Sequence, residues 1–223
     1  MPGRTIAIGD IHGCHVALDA LIEAIAPRSD DTLVVLGDMI DRGPGSAEVI
    51  ERLVELVGRC RLIPLMGNHE RMMLDAATRP STTRFWLQNG GQATLASYGG
   101  SLSSVPHHHR TFFRYLQLTF ETPTHLFVHA CYDPYSEPGE FDEDIALWRH
   151  VDREIPEPHQ SGKIAVVGHT PQADGLPRDH GHIRLLDTFC YGGRALTAWD
   201  VATDEVLQAD NRGNVSTAPF VRE

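Results

Sequence analysis

The chain reads as an α/β protein with a parallel sheet at its centre, and two observations predict this. Three apolar, β-branched runs, Thr5–Asp10, Thr32–Asp38 and Arg61–Asn68, are bounded by turn residues and separated by two segments of helical periodicity. Each run also ends on a glycine followed by Asp or Asn. That places polar side chains at strand carboxyl ends, the edge of an α/β sheet that opens onto a ligand crevice.

Taken in order, Thr5–Asp10 is the first buried strand. His15–Ala26 follows as a helix, with Val16, Leu18, Leu21, Ile22 and Ile25 on one stripe. Thr32–Asp38 is the second strand. Pro44 and Gly45 announce a helix over Ser46–Val57, with Val49, Ile50, Leu53, Val54 and Val57 as its apolar face. Arg61–Asn68 is the third strand, and this β-α-β-α-β order implies right-handed crossovers. From about residue 71 to 123 the pattern is mostly helical, broken at Gly90-Gly91 and Gly99-Gly100, with Pro106 ahead of a helix through Phe112, Phe113 and Leu116. This segment is expected to be a cap elaborating one domain that spans 1–223. His125–Ala130 and Lys163–Thr170 return as strands around an irregular, Pro- and acid-rich excursion at 133–161. Ile183–Thr188, Ala195–Val201 and Glu205–Ala209 are expected to be short antiparallel strands.

The 223 residues can bury a sizeable core, and 41% apolar with 22% charged residues is ordinary for a globular protein. A net charge of −11 disfavours binding along a nucleic-acid backbone, which needs clustered Lys and Arg. No apolar run is long enough to span a bilayer and no basic-then-apolar leader is apparent, so a cytoplasmic protein is expected. Cys14, Cys60, Cys131 and Cys190 form no CxxC pair and are expected to be reduced, buried thiols. His107-His108-His109 is expected to be solvated surface.

The strand ends carry the chemistry. They read Gly9-Asp10-Ile11-His12-Gly13, then Gly37-Asp38-Met39-Ile40-Asp41-Arg42-Gly43, then Gly67-Asn68-His69-Glu70; two later strands end in His129 and in Gly168-His169. Singly, an Asp after a strand is a common helix cap. Five strand ends in succession bearing Asp, Asn or His point instead to a shared site.

In this order, GD-x-HG, GD-x-x-DRG, GNHE, a strand-borne His and a GH pair resemble the metallophosphoesterase superfamily. The GD-x-x-DRG and GNHE forms resemble its phosphoprotein phosphatase branch, with its small bacterial and phage members. The resemblance runs from residue 5 to about 200. It implies a four-layer α-β-β-α sandwich of two mixed sheets with two divalent metals between them. It also implies that Asp10 and His12 bind one metal, that Asp38 bridges both, and that Asn68, His129 and His169 complete the second. Mn2+ is the family's expectation, and an N/O donor set with three imidazoles also suits Fe, Zn or Co. By formal count two carboxylates against two dications leave about +2 at the centre, which attracts phosphate and acidifies water; an asparagine at 68 adds an oxygen ligand without adding charge. By the same resemblance, His69 protonates the leaving oxygen, Asp41 orients its imidazole, and Arg42 forks onto phosphate oxygens. Asn68 and His69 therefore divide the work between metal and proton.

Three positions depart from the branch pattern. Met66 stands where an arginine often precedes GNHE; Leu147-Trp148-Arg149-His150 carries its arginine one place early for W-x-R; and Asp187-Thr188-Phe189 replaces DTG. Arg149 is kept as a candidate phosphate contact, with His150 as its substitute. The expected activity is metal-dependent removal of phosphate from phosphoserine or phosphothreonine proteins or small phosphomonoesters, with in-line attack by metal-activated water. The alternative is hydrolysis of a dinucleoside polyphosphate such as diadenosine tetraphosphate, with Trp86, Tyr98, Phe112, Phe113 or Trp148 as surfaces for the bases. A non-catalytic scaffold would lack a ligand or the acid, and none is missing.

Overall fold

The computed structural model describes residues 3–151 and 154–223. It contains two six-stranded sheets packed face to face. The first joins strands β1 (Thr5–Ile8), β2 (Thr32–Val35) and β3 (Arg61–Pro64) in parallel, and β1 pairs antiparallel with β9 (Ala195–Asp200), followed by β10 (Val206–Asp210) and β11 (Val215–Thr217). The second runs β12-β7-β8-β6-β5-β4, where β4 is Thr119–Glu121, β5 His125–Val128, β6 Ile164–Val167, β7 Arg178–Asp179, β8 Ile183–Leu185 and β12 Val221–Arg222.

The two-residue period of a strand builds the layers. Ile6, Ile8, Leu33 and Val35 face the helices α1 (His15–Ile25) and α2 (Ser46–Leu56), whereas Ala7 and Val34, with Trp199 of β9, turn to the other sheet and meet Phe127 and Val166. On the second sheet Leu126, Val128, Ala165 and Val167 face outward onto Tyr132, Phe141 and Ala146. The expected α-β-β-α order is therefore present. Its fourth layer is thin, and α7 (Glu143–Trp148) is the one α-helix there among the described residues.

Three details differ from the sequence-based expectation. The strands stop earlier, at Ile8, Val35 and Pro64, because the following loops bond to one another instead of extending the ladders: Ile11 and His12 N–H both donate to the Asp38 carbonyl, at 3.0 and 2.8 Å. The helical segment from 71 holds α3 (Asn68–Thr78), α4 (Thr83–Trp86), α5 (Gln92–Ser97) and α6 (His107–Phe113), but 119–121 is strand β4, captured by antiparallel pairing with β5. Finally, β8 does not join β9. It pairs in parallel with β6, so the strands after 183 divide between the two sheets.

Candidate active site

Three parallel strands of one sheet and two of the other end on the same side, and their loops converge. The packing there leaves no room for side chains at two glycines. A Cβ on Gly37, whose φ is 101°, would lie 2.8 Å from both Gly67 Cα and His129 Nδ1, and one on Gly67 would lie 2.2 Å from Asp38 Oδ1. Other loop residues adopt the left-handed region without being glycine: His12, Asp38, Asp41, Arg42, His169 and Phe189 all have φ between 45° and 71°. Such strain persists only where surrounding contacts impose it, and it gathers at functional sites.

Glu70 holds the loop at Asp38, a role not read from the sequence. Its Oε2 accepts the N–H groups of Gly67 (3.0 Å) and Asp38 (2.9 Å), and its Oε1 those of Met39 (2.8 Å) and Ile40 (3.2 Å). One buried carboxylate thus holds the GNHE turn against the loop that presents Asp38. The signal was in the sequence, as the fourth letter of GNHE.

Asp38 stands at the centre, 2% exposed. Its Oδ2 lies 3.4 Å from His12 Nε2 and its Oδ1 3.4 Å from His129 Nε2, so each oxygen faces a different imidazole. Donor atoms of His12, Asp38 and His69 lie within 4.8 Å of one another, as do those of Asp38, His129 and His169. Asn68 Oδ1 is 3.2 Å from His129 Nε2. The Asn68 amide end also lies 3.1 Å from both Asp38 oxygens. Turned one way it donates N–H to the carboxylate; turned the other, it adds an oxygen to converging lone pairs, the orientation a cation selects. Asp10 sits outside the two groups, with both oxygens accepting the His169 backbone N–H at 3.1 and 3.0 Å.

Backbone carbonyls face the far ring nitrogens: Ile40 O at His12 Nδ1 (2.9 Å), Leu36 O at His129 Nδ1 (2.8 Å) and Trp148 O at His169 Nε2 (3.2 Å). Each carbonyl can only accept, so the proton stays on that nitrogen and the other keeps its lone pair for a metal. Burial also lowers the pKa of all three rings, taking His169 down to about 3 with help from the neighbouring His129. His69 behaves oppositely. Burial pulls it down, but the charges of Asp38 and Asp41 and the Asp41 hydrogen bond outweigh this and raise it. Three imidazoles are suited to bind metal, and one to carry a proton.

Asp41 is fully buried and receives His69 Nδ1 at 2.8 Å, Trp86 Nε1 at 2.9 Å and Thr94 Oγ1 at 2.6 Å. Trp86 and Thr94 belong to the helices after β3, so that segment holds the residue that aims His69. Neither was identified as a site residue from the sequence. Trp86 was a candidate base platform, yet it is 0% exposed with its N–H engaged; Tyr98, Phe112 and Phe113 are buried as well. Only Trp148 of that set lines the pocket, about 220 Å³, beside Arg42, Asn89, His150 and Tyr191. Arg42 is exposed, with its guanidinium 4.4 Å from the centre of the Tyr191 ring. Arg149 is placed away from the pocket: its guanidinium lies 3.5 Å from Glu154, while the flanking Trp148 and His150 line the pocket. Position 149 immediately follows α7, which turns 148 and 150 inward and 149 out. Phe189 occupies the left-handed conformation that suits the glycine of DTG, with its ring against Tyr191.

Asp10, Asp38, Asp41, Glu70 and Asp187 are each at most 2% exposed, and among the described residues the facing pocket holds a single guanidinium, that of Arg42. Burial, with Asp38 nearby, pushes Glu70 up to about 8 and Asp187 to about 7. So much buried negative charge with so little positive charge, beside three neutral imidazoles, fits divalent cations.

The calcineurin-like phosphoesterase model matches residues 3–199. The chain belongs to that family. Its members' dinuclear divalent site agrees with this donor set. The chain is 30% identical over 201 residues to serine/threonine-protein phosphatase 1 of Salmonella typhimurium, covering 85% of this chain and 88% of that protein. It is 45% identical over 85 residues to a symmetrical bis(5'-nucleosyl)-tetraphosphatase of Acidovorax ebreus, a match that spans 37% of this chain and only 30% of the relative's length. The fold matches the cold-active protein-tyrosine phosphatase of a psychrophilic Shewanella species with a TM-score of 0.70 at 17% identity, over 98% of this chain and 81% of that one.

Proposed function

We propose that this phosphoesterase removes a terminal phosphate from phosphoserine or phosphothreonine proteins or small phosphomonoesters. The observation that carries the reading is the His69–Asp41 pair, buried and 2.8 Å apart at the edge of the pocket that Arg42 lines. Asp10, His12, Asp38, Asn68, His129 and His169 would hold two divalent ions, which we take to be Mn2+. When bound, such ions polarise phosphoryl oxygens and lower the pKa of water. Arg42, at the exposed mouth, binds the phosphate oxygens bidentately and orients the group. His69 gives the proton on Nε2 to the leaving oxygen, while Asp41 keeps the other proton on Nδ1 and stabilises the imidazolium beforehand. The near full-length relationship to the Salmonella phosphatase favours a phosphoprotein or monoester substrate.

A second reading, hydrolysis of diadenosine tetraphosphate, draws on the higher but shorter identity to the tetraphosphatase and on Trp148 at the pocket, whose ring lies 6.3 Å from that of the exposed Phe85. The deciding experiment compares kcat/KM on a phosphothreonine peptide and on diadenosine tetraphosphate, with Mn2+ added. A preference for the peptide is expected. A preference for the dinucleotide would replace the first reading with the second, and would make Trp148 and Phe85 the residues to mutate next.

A further inference from the structure

The histidine run at 107–109 is not solvated surface throughout. His109 is 3% exposed at its side chain, and its Nε2 lies 2.9 Å from Glu51 Oε2; His108 Nε2 reaches the same oxygen at 3.0 Å. Successive residues of a helix point about 100° apart, yet these two rings, both on α6, converge on one carboxylate oxygen of α2. Donor atoms of Glu51, His108 and His109 all lie within 4.8 Å of one another. We infer that Glu51, His108 and His109 form a further cation site, separate from the one between the sheets, for a divalent ion of borderline softness such as Zn2+.

Three features support this. Ligands adjacent on an ion with bonds of about 2.1 Å sit roughly 3.0–3.5 Å apart, so spacings of 2.9 and 3.0 Å need only slight opening. The hydroxyl of buried Tyr98 lies 2.9 Å from His109 Nδ1. Where that hydroxyl accepts, Nδ1 carries the proton and Nε2 turns a lone pair toward the carboxylate, as in histidine ligands held by an outer partner. The surroundings attract cations: Asp19, Glu23, Glu48 and Glu55 share a shallow surface pocket with Glu51, and Arg52 is the one base lining it. Because Glu51 is on α2 and the histidines are on α6, the ion would clip the helices after β3 onto the core, with water completing its coordination.

The test is calorimetric titration of the whole chain with Zn2+, comparing wild type with Glu51→Gln and His108→Ala, both at half-exposed positions that the fold tolerates, and with Tyr98→Phe. Wild type should bind one more Zn2+ than either ligand variant, and Zn2+ should raise its thermal midpoint further than theirs. Tyr98→Phe should keep the ion with about 10–100-fold weaker affinity. Equal stoichiometry in wild type and Glu51→Gln would overturn the site, leaving the Glu51–histidine contacts as hydrogen bonds. So would a bound ion lost in His107→Ala but kept in Glu51→Gln, which marks a loose chelate of neighbouring surface histidines. The result rests on the difference between variants, so it stands apart from the number of ions bound between the sheets.

Discussion

Strand β2 carries a buried aspartate at each end, and the two live in opposite surroundings. Asp31, just before the strand, is 1% exposed and accepts Arg4 Nε at 3.1 Å, Arg4 Nη2 at 2.6 Å, and the backbone N–H groups of Arg4 (2.8 Å) and Arg28 (2.9 Å). Burial alone would raise its pKa, but this guanidinium fork and the two N–H groups bring it down to about 2. Asp38, three residues past the other end, is equally buried and faces imidazoles, an amide and further carboxylates, with no guanidinium or ammonium of the described residues bonded to it. One end is neutralised by the chain itself. The other is left for something the chain must bind. The lesson is that burial of a carboxylate says little by itself; whether the protein supplies the countercharge separates a structural aspartate from a functional one.

The largest way to break this contrast is Asp38→Asn, expected to abolish hydrolysis and lose bound metal together; metal analysis beside a phosphatase assay checks it. His69→Asn should leave the metals in place while turnover falls about 10²–10⁴-fold. If that variant loses its metals instead, His69 is a ligand and the roles of the neighbouring Asn68 and His69 must be exchanged. Thr94→Val keeps the shape but withdraws the hydroxyl that donates to Asp41 Oδ1 at 2.6 Å. Turnover should fall by roughly tenfold, at unchanged metal content, as expected for a partner that orients another residue.

At the structural end the effect is on stability. The folded pKa of Asp31, about 2, lies below the ordinary carboxylate value, so the charged form is favoured by folding. Its contribution is fully present above pH ~4 and fades as pH falls through about 2. Asp31→Asn should therefore cost roughly 2 kcal/mol at neutral pH and progressively less in acid, with little change in kcat. Denaturant melts at pH 7 and pH 3 measure the difference. Arg149→Ala is expected to be nearly silent, within about twofold in kcat/KM, because an exposed ion pair such as the one with Glu154 is worth little.

The first three strands and the polar residues that follow them were legible because both are written locally. Alternating apolar residues mark a strand, and a glycine followed by Asp, Asn or His marks its polar exit. What escaped was whatever depends on contacts between distant segments. Trp86 looks like any aromatic in a helical run until its indole meets Asp41, 45 residues away. His109 is indistinguishable from His107 in sequence, yet tertiary packing buries one and leaves the other at the surface. Arg149 failed by one residue of phase at the end of a short helix, and β4 was hidden because its three residues become a strand only through pairing with β5.

The bond between the His169 N–H and Asp10 joins residues 159 apart in sequence. Closing so long a loop is costly before any contact rewards it, and contacts of this kind form late in folding. The first three strands and their helices can assemble from neighbouring sequence, but the cluster of Asp10, Asp38, His129 and His169 cannot exist until the second sheet has docked on them. During refolding, regained turnover should therefore trail the return of helical signal. On the ribosome the enzyme would stay inert until β6 and His169 had emerged.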